Sequence, residues 1–343
     1  MSHKLRAILA AVFVLGCLGV FAWWNITKPR VLVLHSYDEE YPWTRGVNAG
    51  LRRVLDHKTE YSMHYYYMDA KRHPWPEFIA RSALAARLLV ERWRPDLVIA
   101  ADDDAQRGVM NRYANVPRIR IVFAGINGEI SAYGYDKADN VTGILERVPW
   151  RAIRDALLAS DLARGRREIR VLHLGDASAA AEEDVEFMKR FDWAPIHLVA
   201  VRTARTFEQW KAEVIQAEGH ADVILVGNYR QLANAPGDKN LIDPKRVVEW
   251  TEANSPLPLM GFKVAYTEDG GAVTLAASPY EQGEVAAAMA VDILDHRKQP
   301  NAIPVASTRQ FVVSIRASGR STRLLGLPPL YESFARATNT YIP

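Results

Sequence analysis

A run of hydroxyl-bearing and aromatic residues early in the chain has the types needed to hold a small organic solute. Ser36, Tyr37 and Trp43 follow the apolar segment 31–34. Hydroxyl groups can fix polar atoms of a ligand, and an indole face can stack on a ring, an apolar group or a cation. We therefore predict that all three residues contact a ligand, although Trp43 could instead pack over the helix that follows.

Three consecutive aspartates offer carboxylate chemistry after a second apolar segment, residues 96–101. Asp102 and Asp103 are predicted to accept hydrogen bonds from a ligand ammonium or hydroxyl group, and one of the three aspartates is expected to cap the following helix. Neighbours in sequence rarely converge on one ion and no second acidic cluster is evident, so no metal site is predicted. No cofactor is predicted either.

Further candidate ligand contacts follow other apolar segments in both halves of the chain. Gly125 would let the backbone approach a ligand closely, although it could equally serve only the turn, and Asn127 offers both a donor and an acceptor. In the second half the corresponding residues are Asp176, Asn228, Tyr229 and Phe262. Among these, the adjacent pair at 228 and 229 combines polar and stacking contacts.

The sequence carries no recognisable catalytic motif. It has no Gly-x-Ser-x-Gly nucleophile elbow, no metal-binding His/Glu helix pair and no phosphate-binding loop. His35 and His173 lie beside or within apolar segments, so they are predicted to be buried core residues and not catalytic bases. We predict no catalytic residue and no enzymatic activity, since catalysis would require His35, Ser36 and Asp102 to form a catalytic group by coincidence.

These loops require a scaffold in which apolar strands alternate with amphipathic helices. Strands are predicted at residues 31–34, 61–68, 96–101, 120–124, 169–174, 196–202, 223–226 and 259–262. Fully apolar strands imply parallel sheets covered on both faces, an α/β fold with two Rossmann-like lobes. Ligands of such sheets sit beyond the carboxyl ends of the strands, so the loops after the strands should line a cleft between the lobes.

The lobe boundaries follow from the places where the alternation is interrupted. Crossings between the lobes are predicted at residues 140–144, 276–279 and 301–305. Because the chain has 343 residues, it is long enough to bury two separate cores. The predicted lobes are 27–144 plus 277–299 for the N-terminal lobe, and 145–276 plus 300–343 for the C-terminal lobe.

Residues 1–26 differ in kind from the rest of the chain. Lys4 and Arg6 precede an uncharged stretch, residues 7–24, which is typical of a signal peptide or a transmembrane anchor. Cleavage, retention as an anchor and lipidation at Cys17 all stay open. Each implies a periplasmic location, either anchored in the inner membrane or released, and since Cys17 is the only cysteine the exported part cannot form disulfides.

The composition is that of a globular protein, with 49% hydrophobic and 24% charged residues. The net charge of +3 is spread along the chain and no basic block occurs, so a nucleic-acid partner is not predicted. With no second long apolar segment, the part after residue 26 is predicted to be a soluble monomer. Its predicted partners are a small-molecule ligand and the membrane reached through the N-terminal segment.

Four short regions, in order along the chain, carry a family resemblance. They are VLVLHSY at 31–37 with YPW at 41–43 and Gly46, NVTG at 140–143, PYEQG at 279–283, and VSIRA at 313–317 with LGLP at 325–328. They are similar to the first strand and ligand loop, the crossing strand, the late turn and the closing strand of ABC-transporter substrate-binding proteins with the type I periplasmic fold. The branch in question also provides sensor modules of signalling proteins.

The resemblance implies an extracytoplasmic protein that captures a small organic ligand between two lobes and presents it to an inner-membrane ABC-type permease. The alternative that it implies is a ligand-sensing component. Sensing relatives often continue into a kinase or cyclase region, whereas this chain stops at Pro343. A sensor of this kind would therefore report occupancy to a separate membrane receptor or kinase, and the sequence neither separates the two roles nor identifies the ligand.

Overall fold

Within residues 3–343, which a computed structural model of the protein describes, thirteen strands form two sheets. The strands are β1 (Arg30–His35), β2 (Ser62–Tyr67), β3 (Leu97–Ala101), β4 (Arg120–Ile126), β5 (Val141–Leu145), β6 (Arg170–Asp176), β7 (His197–Ala204), β8 (Val223–Val226), β9 (Leu259–Gly261), β10 (Val273–Ala277), β11 (Ala306–Ser307), β12 (Phe311–Arg316) and β13 (Tyr341–Ile342). The first sheet has the order β11-β5-β4-β3-β1-β2, and the second has the order β13-β12-β10-β9-β8-β6-β7.

The first sheet is parallel throughout, as predicted. The second sheet is parallel except that β12, together with β13 parallel beside it, runs antiparallel to β10, so the expectation of a wholly parallel sheet was wrong at this edge. Ala277, the last residue of β10, lies opposite Phe311, the first residue of β12. The chain re-enters the second lobe at the edge of the sheet where the parallel strands have their carboxyl ends. The strand β12 starts at this edge and therefore runs in the opposite direction to β10.

Helices cover both faces of the sheets. They are α1 (His3–Thr27), α2 (Pro42–Leu55), α3 (Pro76–Trp93), α4 (Asp103–Gly108), α5 (Trp150–Ala159), α6 (Ala179–Arg190), α7 (Phe207–Gln216), α8 (Pro244–Asn254), α9 (Ala265–Glu268), α10 (Pro279–Leu294), α11 (Arg320–Leu325) and α12 (Pro329–Ala337). In β1, Val31 and Val33 pack into one core while Leu32 and Leu34 pack into another. This double burial explains why the strands read as continuous apolar segments and confirms the predicted α/β fold with two lobes.

The chain passes between the two sheets three times. The first passage follows β5, and the second lies between β10 and α10. The third follows β11, because Ala306 and Ser307 pair with Ile144 and Leu145 of the first sheet. The assignment of residues 300–307 to the C-terminal lobe was therefore wrong, since a strand of two residues leaves no apolar pattern to recognise.

Two glycines allow α10 to lie against α2, which fixes the returning helix on the first lobe. A Cβ atom on Gly50 would stand 2.0 Å from the carbonyl oxygen of Tyr280, and one on Gly283 would stand 2.0 Å from the carbonyl oxygen of Val47. The two helices thus meet backbone to backbone. Any side chain at these positions would force them apart.

We expect Gly50→Ala and Gly283→Ala each to lower the free energy of unfolding by about 1–3 kcal/mol, the usual effect of overpacking. Urea unfolding followed by circular dichroism measures this change. Ala288→Ser, at an exposed position of α10, is the control and should change the free energy by less than about 0.5 kcal/mol. A glycine variant as stable as the parent would contradict the close approach.

The helix α1 is long and apolar enough to cross a membrane from Lys4 to Thr27. Its described side chains are exposed, apart from the half-buried Cys17. Met1 and Ser2 of the predicted segment 1–26 lie outside the described residues. The helix is a candidate anchor or signal segment, and the choice between these stays a prediction.

Candidate functional site

A narrow cavity lies between the two lobes, at the carboxyl ends of strands from both sheets. It is lined by Tyr37, Tyr41, Trp43, Lys71, Asp102, Asn127, Glu146, Ala180, Asn228, Phe262, Lys263, Val264, Ala276 and Ala277. Its free space of about 20 Å³ holds about one water molecule. An organic solute can therefore enter only if the lobes separate or the lining side chains move.

Six of the eleven predicted ligand contacts line this cavity, and five do not. The six are Tyr37, Trp43, Asp102, Asn127, Asn228 and Phe262. The five outside its lining are Ser36, Asp103, Gly125, Asp176 and Tyr229. The lining also includes eight residues that were not predicted as ligand contacts, and four of these carry polar or charged side chains: Tyr41, Lys71, Glu146 and Lys263.

Three aromatic residues from the loop after β1 and the start of α2 form one wall. The rings of Tyr37 and Tyr41 meet edge to face, with centroids 5.4 Å apart. Trp43 is buried and donates a hydrogen bond from Nε1 to Asp102 Oδ1 over 2.8 Å. Pro42 begins the helix and fixes the direction in which the loop arrives. The wall is therefore held by helix geometry as well as by packing.

Asp102 presents one carboxylate oxygen without a partner. Its Oδ1 accepts from Trp43, whereas its buried Oδ2 has no hydrogen-bond partner. Burial, reinforced by the carboxylates of Glu146 and Asp103, raises the pKa of Asp102 well above its usual range. Its backbone has a positive φ of 67°, which an aspartate adopts only under local constraint. A donor group brought into the cavity would satisfy this oxygen.

The expectation that an aspartate caps α4 was wrong. None of the three aspartate side chains accepts a cap hydrogen bond; instead Ser36 Oγ accepts from the backbone N–H of Ala105 over 2.8 Å and donates to the carbonyl of Ala101 over 2.8 Å. Ser36, the first residue after the neighbouring strand β1, therefore stabilises the start of α4. This cap could not be predicted from the local sequence, because Ser36 and Ala105 are 69 residues apart in the chain.

Asp103 and Asn127 form a polar layer at the edge of the cavity. Asp103 accepts hydrogen bonds from the hydroxyl of Tyr133 over 2.6 Å and from the backbone and side-chain nitrogens of Asn127, each over 3.2 Å. Asn127 also donates to Glu146 over 3.3 Å. Asp103 therefore orients Asn127, and through it Glu146, from a position behind the cavity wall.

Lys263 joins two buried carboxylates. Its Nζ lies 3.1 Å from Glu146 Oε1 and 2.9 Å from Asp184 Oδ2. Burial opposes the charge of Lys263, but the two carboxylates outweigh burial and raise its pKa. Burial raises the pKa of Glu146 and of Asp184, and Lys263 opposes that rise. These three side chains connect the segment after β5, which holds Glu146, to the second lobe, which holds Asp184 and Lys263.

Lys71 comes from the loop after β2 and lies at the centre of the cleft. It reaches Asn228 Oδ1 of the second lobe over 3.4 Å, and its ammonium stands 4.9 Å from the ring centroid of Tyr37 and 5.8 Å from that of Tyr41. Two larger recesses, of about 580 and 180 Å³, open on either side of the cavity, and Lys71 lines both. Lys71 therefore borders all three spaces.

Contacts across the cleft hold the lobes together. The guanidinium of Arg147 lies 4.5 Å from the ring centroid of Phe187, and Arg45 on α2 pairs with Glu268 of the second lobe at 2.5 Å. Glu183 on α6 packs beside Gly128, where an added Cβ would lie 3.1 Å from its carboxyl carbon. The two lobes are therefore in a closed arrangement.

The remaining predicted contacts hold the loops and do not face the cavity. Asp176 accepts hydrogen bonds from Ser178 Oγ over 2.6 Å and from the backbone N–H of Gln231 over 3.0 Å. Gly125 has a positive φ of 70°, and a Cβ there would stand 2.8 Å from Asp102 Oδ1. It therefore leaves room for that carboxylate. Tyr229 is buried in the core of the second lobe.

His35 and His173 are buried, as predicted. Burial lowers the pKa of His35 to about 4, and the hydrogen bond of its Nε2 with Asn48 Oδ1, 2.8 Å long, only partly opposes this. Burial lowers the pKa of His173 to about 3. Both rings are therefore neutral at physiological pH and belong to the cores. Among the described residues no group of His, Cys, Asp and Glu is arranged to hold a metal ion.

Comparison with known proteins gives the fold a name. No protein-family model matches the chain, and no curated protein matches it in sequence. Among solved structures, a conserved domain protein from Vibrio cholerae superposes with a TM-score of 0.65 at 16% identity, covering 92% of this chain and all of that one. The protein thus has the two-lobed type I periplasmic binding fold that its sequence resembles.

Two further solved structures name a ligand or a transport system. An ABC domain from Streptococcus pneumoniae in complex with L-Trp has a TM-score of 0.63 at 16% identity, covering 92% of this chain and 96% of that one. A periplasmic ribose ABC transporter from Conexibacter woesei has a TM-score of 0.55 at 13% identity, covering 91% of this chain and 95% of that one. At these identities the likeness concerns the fold alone.

Proposed function

We propose that this protein is a periplasmic solute-binding protein that closes its lobes around a small organic solute and presents it to an ABC-type permease in the inner membrane. The observation that carries the proposal is the cavity at the carboxyl ends of both sheets, whose walls combine aromatic rings with buried charged groups. The ligands and transport systems named for the solved structures with this fold are consistent with such a role.

Binding without chemical conversion suits the groups that this cavity offers. No histidine or cysteine within residues 3–343 lines it, and the buried His35 points its Nε2 to Asn48. The cavity therefore offers no histidine base and no cysteine nucleophile among the described residues. We propose that the protein is not an enzyme and needs no cofactor.

Delivery to a permease follows from closure of the lobes. A solute that touches both walls binds the closed state more tightly than the open one, and this difference shifts the equilibrium towards closure. A membrane partner can then recognise the closed shape without touching the solute. We propose that the protein works as a monomer, with α1 either holding it at the inner membrane or directing its export.

We expect a thermal-shift screen of the full chain in detergent micelles to find a solute that stabilises the protein. The screen should contain amino acids, sugars, nucleosides and small amines. A solute present at one hundred times its Kd should raise the free energy of unfolding by about 2.7 kcal/mol, because it binds only the folded state. Trp43→Ala should lose most of the shift for that solute, and a screen with no stabilising solute would refute the proposed function.

A further inference from the structure

Two ionisable side chains of opposite type, Asp102 and Lys71, face the cavity, and neither forms a direct ion pair with another described residue. Asp102 is 1% exposed, and its Oδ2 accepts no hydrogen bond from any described residue. Lys71 is 5% exposed, and within residues 3–343 its only hydrogen bond is the long one to the neutral amide of Asn228. Its other contacts are the ring faces of Tyr37 and Tyr41. The cavity thus holds a carboxyl oxygen without a hydrogen-bond partner and an ammonium group whose one hydrogen bond within residues 3–343 goes to a neutral amide.

Lys263 is a buried cation in the same site whose charge is neutralised by carboxylates of the protein itself. That lysine lies between Glu146 and Asp184, at about 3 Å from each carboxylate. A buried charge without a partner is costly, and a buried polar group normally finds one. Lys71 and Asp102 have no such partners within the described part of the protein, which indicates that a bound solute supplies them.

Building on the proposed function, we infer that the solute is an α-amino acid with an apolar side chain, aliphatic or aromatic. Its ammonium group donates to Asp102 Oδ2, and its carboxylate accepts from Lys71 Nζ. A neutral sugar could use the same hydrogen bonds but would bring no opposite charge to either group. The zwitterion neutralises each in the same step.

The rest of the lining suits the side chain of such a solute. Tyr37, Tyr41 and Trp43 line the first-lobe wall of the cavity, and Phe262 lines its second-lobe wall. Trp43 also holds Asp102 Oδ1, which leaves Oδ2 as the oxygen available to the solute. For the solute to enter, Lys71 must leave the ring faces on which it rests, and the adjoining recesses give it room.

Titration calorimetry of the full chain in detergent micelles tests the charge requirement on the solute. The probes are L-phenylalanine with phenethylamine and 3-phenylpropionate, and L-leucine with isoamylamine and 4-methylpentanoate. In each set the second compound lacks the carboxylate and the third lacks the ammonium group. We expect the better-bound amino acid to lose about 10- to 100-fold in affinity with either deletion, because each removes a charged hydrogen bond.

Variants test the residues on the protein side. Asp102→Asn and Lys71→Met should each weaken binding of the amino acid by about 10- to 100-fold. Asp102→Asn should weaken 3-phenylpropionate binding less than it weakens amino-acid binding, and Lys71→Met should weaken phenethylamine binding less than it weakens amino-acid binding, because each probe lacks the group that the substituted residue would contact. Asp136→Asn and Lys137→Met, at exposed positions of the same lobe, are the matched controls and should bind like the parent.

Binding tests with sugars distinguish failure of the amino-acid inference from failure of the proposed function. If D-ribose or D-allose binds and none of the apolar L-amino acids does, the protein still binds solutes but the amino-acid inference is overturned. The inference is also overturned if the amine or the acid binds as tightly as its parent amino acid. If no compound binds at all, the proposed function fails with it. These comparisons use the parent protein, so they hold even where a variant does not fold.

Discussion

Tyr229→Ala is expected to lower the free energy of unfolding by about 3–5 kcal/mol, the range for removal of a large buried ring. Tyr229 is 1% exposed, and its ring meets those of Trp210 and Tyr266 edge to face, with centroids 6.4 and 6.1 Å away. Its hydroxyl donates to Asp269 Oδ2 over 2.6 Å. Truncation would leave a void among rigid rings. Urea unfolding of the full chain in detergent, followed by circular dichroism, measures the loss.

Two control variants separate packing from other effects of the Tyr229 substitution. Tyr229→Phe keeps the ring and removes one hydrogen bond, so it should lower the free energy of unfolding by only about 1 kcal/mol. Tyr280→Ala removes a ring that is 36% exposed and should change it little. A Tyr229→Ala variant that unfolds like the parent but binds solute weakly would restore Tyr229 as a ligand contact.

The case of Tyr229 shows the limit of reasoning from position after a strand. The rule that loops at the carboxyl ends of parallel strands face the ligand placed its neighbour Asn228 correctly on the cavity wall. Adjacent side chains point in different directions, however, and the partner that draws Tyr229 into the core is Asp269, 40 residues further on. A local pattern does not encode that pairing.

The same rule was more successful in the first lobe. Tyr37, Trp43 and Asp102 all line the cavity: Tyr37 and Asp102 lie in loops that leave buried strands directly, and Trp43 lies at the start of the helix that follows the first of these loops. Whether they bind the solute stays a prediction. Lys71 was missed, since it stands four residues beyond the end of β2 in a segment of mixed charge that is typical of a solvated loop.

Other parts of the site arise from long-range pairing. Asp184 lies in the middle of α6, where an acidic residue is usually exposed, but here it is buried and contacts Lys263 of a distant segment. Glu146 follows the predicted crossing strand, beyond the segment that resembled a known family. The alternation of strands and helices could be predicted from apolar periodicity, whereas these ion pairs required the assembled lobes.

Lys263→Met is expected to lower the free energy of unfolding by about 3–5 kcal/mol, the usual result of removing one partner from a buried ion pair. The change leaves Glu146 and Asp184 buried together without their shared cation. Adding Glu146→Gln and Asp184→Asn to this variant should recover most of the loss, since neutral amides do not need the cation. Lys239→Met is the control, because its contact with Glu77 is 3.9 Å long and exposed.

The loss caused by Lys263→Met should depend on pH in a direction that follows from the two carboxyl groups. Burial already raises the pKa of both, and Lys263 holds them down, so its removal raises them further. A raised pKa in the folded state means that folding takes up protons, and stability then falls as pH rises through that pKa. The loss should therefore be largest at neutral pH and shrink as pH falls towards the ordinary carboxyl range near about 4.

Urea unfolding of the parent, Lys263→Met and the triple variant at several pH values between neutral and mildly acidic conditions distinguishes charge from packing. If the loss came from the methylene groups of Lys263, it would stay constant across this range and the triple variant would not recover. If it comes from uncompensated charge, the triple variant has no such groups to titrate. Its stability relative to the parent should then lack the rise at acidic pH that the single variant shows.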